Sequence, residues 1–179
     1  KVTDLMQGPV YGIETEESKI DDRLKTIFNY DEFFGTIVNR FITQAVIGYP
    51  LTVYGKGGQT RGYINIRDTL QCIYASFKNP PVAGSLSIYN QITEVFTVNE
   101  LAKITQSAGL KCGLDVKISN VKNPRIEPEE HYYNPTYSAL KGLGVKPNLL
   151  TEESMVSMIS IVKGFKSNIR EKVIFTGIK

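Results

Sequence analysis

The residues whose types and spacing suggest chemistry fall in two stretches. The first is Gly55-Lys56-Gly57-Gly58-Gln59-Thr60-Arg61-Gly62, with the glycine density of a phosphate cradle, in which backbone N–H groups approach an anion. It satisfies neither Gly-x-x-x-x-Gly-Lys-Ser/Thr nor Gly-x-Gly-x-x-Gly opening a helix, so the expectation is a tight turn. Arg61, at the start of a strand just past that turn, is placed either to present its planar fork to a phosphate or to rest on the surface. The second stretch, Asn123-Pro124-Arg125-Ile126-Glu127-Pro128-Glu129-Glu130-His131-Tyr132-Tyr133-Asn134, has neither helical nor strand period. A loop stiffened by prolines is a good platform for binding groups, and the plainer reading is a solvated loop with Arg125 paired to Glu127 or Glu129. His131 reads as an incidental loop histidine before it reads as a general acid.

Two further patterns carry less. Tyr74 with Lys78 and Tyr137 with Lys141 both match Tyr-x-x-x-Lys, an acid/base pair in which the lysine lowers the tyrosine pKa. With ten tyrosines in the chain an accidental match is expected, so neither pair is read as catalytic. Cys72 and Cys112 with one histidine cannot assemble a zinc cage or a disulfide framework, and both cysteines read as small buried apolar residues.

These stretches need elements to hold them. Val2 to Met6 reads as a strand entering Gln7-Gly8-Pro9, and Glu14 to Tyr30 as a charged, solvated excursion. Asp31-Glu32 precede a helical apolar period from Phe33 to Val46, stopped by Gly48 and Pro50. Leu51 to Tyr54 and Arg61 to Ile66 read as strands on either side of the glycine turn. Asp68 is a natural N-cap for a helix over Thr69 to Lys78, stopped by Asn79-Pro80-Pro81. A strand over Ser85 to Gln91 follows, then the capping box Thr97-Val98-Asn99-Glu100 opening a helix to Gly109. Asp115 to Val121 reads as a strand, and Thr151-Glu152-Glu153 as the start of a last helix. Strands alternating with helices predict an α/β fold with a largely parallel sheet, and the short Leu51 to Tyr54 strand predicts a smaller domain threaded between sheet strands.

Composition narrows the function. In 179 residues, 21 Lys and Arg against 18 Asp and Glu leave a formal charge of +3, which argues against nucleic acid as a partner. The most apolar stretch, Ile37 to Tyr54, is broken by Asn39, Arg40 and Pro50, which argues against a membrane span. No signal peptide is visible at the start. A strand opening at Val2 has nothing obvious to pair with, so a companion segment upstream of Lys1 is expected to complete the sheet.

Four runs carry a resemblance: Asp4 to Gly12, Leu51 to Tyr63, Ile66-Arg67-Asp68 and Glu129 to Asn134. Together they resemble the C-terminal half of the UDP-sulfoquinovose synthase family, extended short-chain dehydrogenases/reductases related to UDP-galactose 4-epimerase. General nucleotide-sugar epimerases carry Asn where Gln7 stands and Arg-Asp-Tyr/Phe where Arg61-Gly62-Tyr63 stands, so both departures point to the sulfoquinovose branch. The resemblance implies the last strands of a Rossmann-like sheet plus a small substrate-binding domain, residues 1–179 forming the UDP-sugar-binding portion. It implies that Gln7 holds the nucleotide-sugar. Thr36, Val38, Asn39 and Arg40 would lie against the diphosphate, and Thr52, Val53 and Tyr54 would line uracil and ribose. Arg61 and Arg125, with Glu127 beside the latter, would clasp the diphosphate.

The implied reaction joins UDP-glucose and sulfite, with NAD taking and returning a hydride at C4 of the glucose, in sulfolipid or sulfoglycan biosynthesis. NAD and the catalytic Thr, Tyr and Lys would belong to an N-terminal segment upstream of Lys1, leaving these residues inactive alone. No catalytic or metal-ligating residue is therefore assigned here. A homodimer when intact and a cytoplasmic location, or chloroplast stroma for a plant-type protein, are further implications. The alternatives are another nucleotide-sugar epimerase or dehydratase, or a non-catalytic nucleotide-sugar-binding protein.

Overall fold

The computed structural model of the protein describes residues 1–31, 34–123, 135–136 and 138–174. In chain order its elements are β1 (Val2–Gln7), β2 (Val10–Tyr11), α1 (Glu16–Ile20), α2 (Ile37–Ile47), β3 (Leu51–Tyr54), β4 (Thr60–Asn65) and α3 (Ile66–Lys78). There follow β5 (Leu86–Gln91), β6 (Glu94–Thr97), α4 (Val98–Lys111), β7 (Ile118–Val121), α5 (Ala139–Gly142) and α6 (Glu152–Gly164). Two compact units share the chain in alternating pieces. One comprises Lys1–Thr26, Arg61–Val95 and Tyr132–Leu149, the other Ile27–Thr60, Phe96–His131 and Leu150–Lys179.

In the first unit β1 pairs in parallel with β5, from Val2 opposite Leu86 to Gln7 opposite Gln91. A second sheet runs β2-β4-β6, with Val10 opposite Ile64 and Tyr11 opposite Asn65. Ile64, Cys72, Leu140 and Val145 form its buried cluster, flanked by Tyr89 of β5. The second unit packs α2, α4 and α6 on one another, with α2 and α4 also against β3, which pairs in parallel with β7. Phe41, Ile42, Leu51, Val53, Leu101, Met155 and Ile159 are its fully buried centre.

Several sequence expectations hold with shifted boundaries. The α2 helix begins at Ile37 rather than Phe33, because the Asp31 carboxylate and carbonyl tie up the N–H groups of Phe34 and Gly35 in a turn, and Thr36 takes the N-cap. Gly48 ends it in the left-handed conformation at φ 79°, as the stop signal predicts. Asp68 does not cap α3. Asn65 does, its side chain accepting from the Arg67 N–H, and the helix starts three residues earlier than Thr69. The charged excursion after Glu14 is not wholly solvated: Thr15 and Ser18 close a capping box on α1 and are both buried. The capping box of Thr97 and Glu100 opens α4 as predicted, and Thr151 opens α6 with Ser154 as its partner. The short β2, β6 and α5 were not expected from the pattern.

Candidate functional site

The start of α2 and the strand β3 meet through a side-chain network within the second unit. Thr36 caps the helix, leaving the N–H groups of Ile37 and Val38 without intrahelical acceptors. One turn on, Arg40 donates from Nη2 to the Thr52 carbonyl at 3.0 Å, and its guanidinium lies 4.4 Å from the centre of the Tyr54 ring. Gln44 fixes the same threonine from the other side: its Nε2 donates to Thr52 Oγ1 at 2.8 Å and its Oε1 accepts from the Thr52 N–H at 3.1 Å. The N–H, carbonyl and hydroxyl of Thr52 are thus all held. Val38 and Val53 are fully buried, so what they can offer a ligand is backbone rather than side chain. Asn39 donates to the Asn29 carbonyl at 2.9 Å, while its buried Oδ1 has no hydrogen-bond partner among the described residues.

The glycine run is the tight turn the sequence predicts, pinned at both ends. Gly55 and Gly57 have φ of 62° and 75°. A Cβ on Gly57 would sit 2.3 Å from Asn99 Oδ1 and 2.6 Å from Val53 Cγ1, so no side chain fits there. The Asn99 amide donates to the Lys56 carbonyl at 2.8 Å, the Asn99 N–H to the Gly57 carbonyl at 3.1 Å, and the Asn120 amide to the Gly55 carbonyl at 2.7 Å. Buried Gln59 donates back to the Tyr54 carbonyl at 3.3 Å. These glycines serve close packing on α4, and the turn runs into a strand. The described residues therefore do not fit a dinucleotide pyrophosphate, which needs a glycine turn opening a helix.

In the first unit, Gln7 is exposed at the C-terminal end of β1, opposite Gln91, whose Nε2 is buried without a hydrogen-bond partner among the described residues. Arg61 is half-buried on β4. The strongest polar network here went unread in the sequence. Asp68 is buried and accepts from the Asn148 N–H at 2.9 Å, from the Asn148 amide at 2.5 Å and from Gln71 at 3.1 Å. The Tyr11 hydroxyl donates to Glu94 Oε1 at 2.5 Å. Burial, then the Glu94 hydrogen bond and charge, push the Tyr11 hydroxyl pKa far above its usual value, and burial raises the Asp68 carboxyl despite the Asn148 hydrogen bonds. Both groups act as fixed hydrogen-bonding struts.

The other sequence candidates separate plainly. Lys78 lies 5.4 Å from the Tyr74 ring on the exposed side of α3, which makes the pair a surface stack. Cys72 is buried, and desolvation pushes its thiol pKa up to about 11, which makes it inert. Cys112 departs from the expectation: it is only partly buried, with Sγ 3.8 Å from the Val156 carbonyl, because it sits at the end of α4. Among the described residues no group of three His, Cys, Asp or Glu is placed to hold a metal, and no helix is long and apolar enough to cross a membrane. Arg125, Glu127, His131 and Tyr137 lie outside the described residues. Gln44, Asn99 and Asn120 were missed as supports. The signal for Gln44 was an amide among Phe41, Ile42, Ala45 and Val46 on a buried face, where it demands a partner.

Two known proteins are similar to the chain along most of its length. The chain is 46% identical over 178 residues to the chloroplastic UDP-sulfoquinovose synthase of Spinacia oleracea, which covers 99% of this chain. It is 45% identical over 168 residues, 94% of this chain, to the UDP-sulfoquinovose synthase of Sulfolobus acidocaldarius. Over almost all of its residues the chain is similar to UDP-sulfoquinovose synthases. It spans 37% and 42% of the length of those two relatives, matching their C-terminal portion. No family model matches. The fold is that of extended short-chain dehydrogenase epimerases: the UDP-glucose 4-epimerase of Thermus thermophilus, solved with NAD, superposes with a TM-score of 0.63 at 20% identity, over 90% of this chain and 46% of its own.

Proposed function

We propose that this chain forms the nucleotide-sugar-binding portion of a UDP-sulfoquinovose synthase, which joins UDP-glucose and sulfite using NAD. The observation that carries the reading is the level identity of 46% and 45% to two such synthases, from a plant and an archaeon, across almost all of these residues. NAD would be held by polypeptide outside the described residues, whose own glycine turn is spent on packing. Their contribution is to bind and orient the substrate.

In this reading the α2 N-terminus offers the Ile37 and Val38 N–H groups and its dipole to the diphosphate. Thr52 and Tyr54 present a rigid strand to uracil and ribose, Val53 contributing backbone only, and the Gln44 and Arg40 bonds keep that strand from yielding when the ligand arrives. Gln7 would hold the sugar at the end of β1, and Arg61 and Arg125, with Glu127 orienting the latter, would clasp the diphosphate. Charge-assisted bonds of this kind contribute about 1.5 to 3 kcal/mol each, so the arginines would dominate affinity.

The test is to incubate the full-length product of the gene with UDP-glucose, sulfite and NAD and to identify the product by mass. UDP-sulfoquinovose supports the reading; sulfite left unconsumed, or UDP-galactose as the product, overturns it. In the same protein, Arg61→Ala or Arg125→Ala should weaken UDP-glucose binding about tenfold or more, about 1.4 kcal/mol, by calorimetry. An unchanged dissociation constant in both variants removes the arginine clasp.

A further inference from the structure

Gln7 and Gln91 end β1 and β5 side by side. They are the last register partners of the parallel pair, and partners in such a ladder project their side chains to the same face from strands about 4.8 Å apart. Their surroundings differ. Gln7 is exposed, whereas Gln91 is 1% exposed and counts among the largest fully buried side chains. The polar groups around Gln91 are used: the Gly8 N–H donates to its carbonyl at 3.2 Å, the Asn90 amide to the Thr136 carbonyl at 2.7 Å and the Thr93 N–H to the Tyr63 carbonyl at 2.9 Å. Its own Nε2 is buried without a hydrogen-bond partner among the described residues.

Packing does not account for this amide. A buried donor with no acceptor is destabilising, and an apolar side chain of the same shape would fill the position without that cost. The ladder offers an acceptor. Where strands run parallel and in register, stacked glutamines bond amide to amide, each Nε2 donating to the side-chain oxygen on the neighbouring strand. Gln7 is the residue in register with Gln91, and the pair stands where ligands meet parallel sheets, at the carboxyl ends of the strands. The backbone is fixed there: a Cβ on Gly8 would lie 3.2 Å from the Gln91 carbonyl oxygen and 3.3 Å from the Gly62 carbonyl oxygen, so the residue after Gln7 is held between Gln91 and the neighbour of Arg61.

We infer that Gln91 is a positioning residue for Gln7: its Nε2 donates to Gln7 Oε1 and leaves the Gln7 Nε2 to donate to a hydroxyl oxygen of the bound hexose. An exposed glutamine samples several rotamers, and fixing one of them when a ligand arrives weakens binding. A buried partner in register removes part of that penalty, because Gln91 has little freedom of its own left to lose. The Gln91 amide is thus kept for orientation at some cost in stability. Gln91 acts only through Gln7, so this role rests on the reading of Gln7 as the residue that holds the sugar, and adds to it a second glutamine that does not itself touch the ligand.

The experiment is calorimetry on the full-length gene product with UDP-glucose and with UDP, which shares the diphosphate and lacks the sugar. Gln91→Leu should weaken UDP-glucose binding about tenfold and change UDP binding by less than about twofold. Its Tm should hold or rise, since the amide removed is unpaired. Gln91→Met, unbranched like glutamine, should repeat both results. Gln7→Ala should weaken UDP-glucose binding by a similar factor, and adding Gln91→Leu to it should weaken binding no further. Wild-type affinity for UDP-glucose in both Gln91 variants overturns the inference, as does a further loss in the double variant. A drop in Tm with both ligands weakened alike makes Gln91 a packing residue and overturns it too. Gln7→Ala without effect on UDP-glucose removes the sugar contact proposed above and the role of Gln91 with it, whereas a weakened Gln7→Ala beside unchanged Gln91 variants removes the role of Gln91 alone.

Discussion

Two parallel strand pairs in this molecule have the same hydrogen-bonding pattern and opposite surroundings. β3–β7 is built around Leu51, Thr52 and Val53, all buried, with α2 and α4 against it. β1–β5 exposes Val2, Met6, Leu86 and Ile88. The same backbone pairing thus occurs with its side chains either buried or exposed, and the first unit also carries a polar network of its own. Tyr11 to Glu94 and Asp68 to Asn148 join residues at least eighty apart in sequence, and Tyr11 and Asp68 are themselves buried. The second unit uses polar groups differently, with Gln44 and Arg40 fixing one threonine inside an otherwise apolar packing.

The sharpest way to break this contrast is to truncate one side chain in each pair. Leu51→Ala removes a fully buried side chain and should cost about 2 to 5 kcal/mol in urea unfolding of the 179-residue chain, whereas Ile88→Ala should stay within about 0.5 kcal/mol. Comparable costs would mean the two pairs are equally covered. Next in size, Asp68→Asn turns one acceptor into a donor that faces the Asn148 donors, and should cost about 1 to 3 kcal/mol. Its pH dependence has a fixed sign. Burial raises the Asp68 pKa, so the folded state holds this proton more tightly than the unfolded chain does. The carboxyl favours folding most below its ordinary pKa, and that contribution is lost as pH rises through the raised value. The stability gap between the wild type and Asp68→Asn should thus narrow with rising pH across that window in thermal melts. The smallest effect is expected at a cap: Thr97→Ala loses the bond to the Glu100 N–H and should cost about 1 kcal/mol, visible as a modest drop in Tm.

Local signals in the sequence carried much of this architecture. The Gly48 stop, the Leu51 to Tyr54 strand and the Thr97 capping box depend on side chains acting within a few residues, so they read correctly. What failed depended on distant partners. Asp68 looks like a cap until Asn148, eighty residues on, claims its carboxylate, leaving Asn65 to do that work. β2 is two residues long and exists because β4 lies beside it, which no local period can announce. The candidate site divides in the same way: the glycine turn was legible from φ-permissive residues, but the role of Asn99 as the reason Gly57 tolerates no side chain was not. Gln7, Thr36 and Tyr54 came from family resemblance, since such single residues carry no periodic signature, and Arg61 stood out beside the glycine turn with two open readings until the resemblance favoured one.

The interleaving of the two units has a consequence for how the protein is made. The chain passes from one unit to the other five times, after Thr26, Thr60, Val95, His131 and Leu149. Neither unit can be cut out as a continuous stretch, and the helix that completes the α2–α4 packing, α6, leaves the ribosome after both of its partners. Synthesis must therefore pass Gly164 before that core closes, and a nonsense codon between Lys111 and Thr151 would release a polypeptide with α2 and α4 unsheltered, a substrate for proteases rather than a shortened protein.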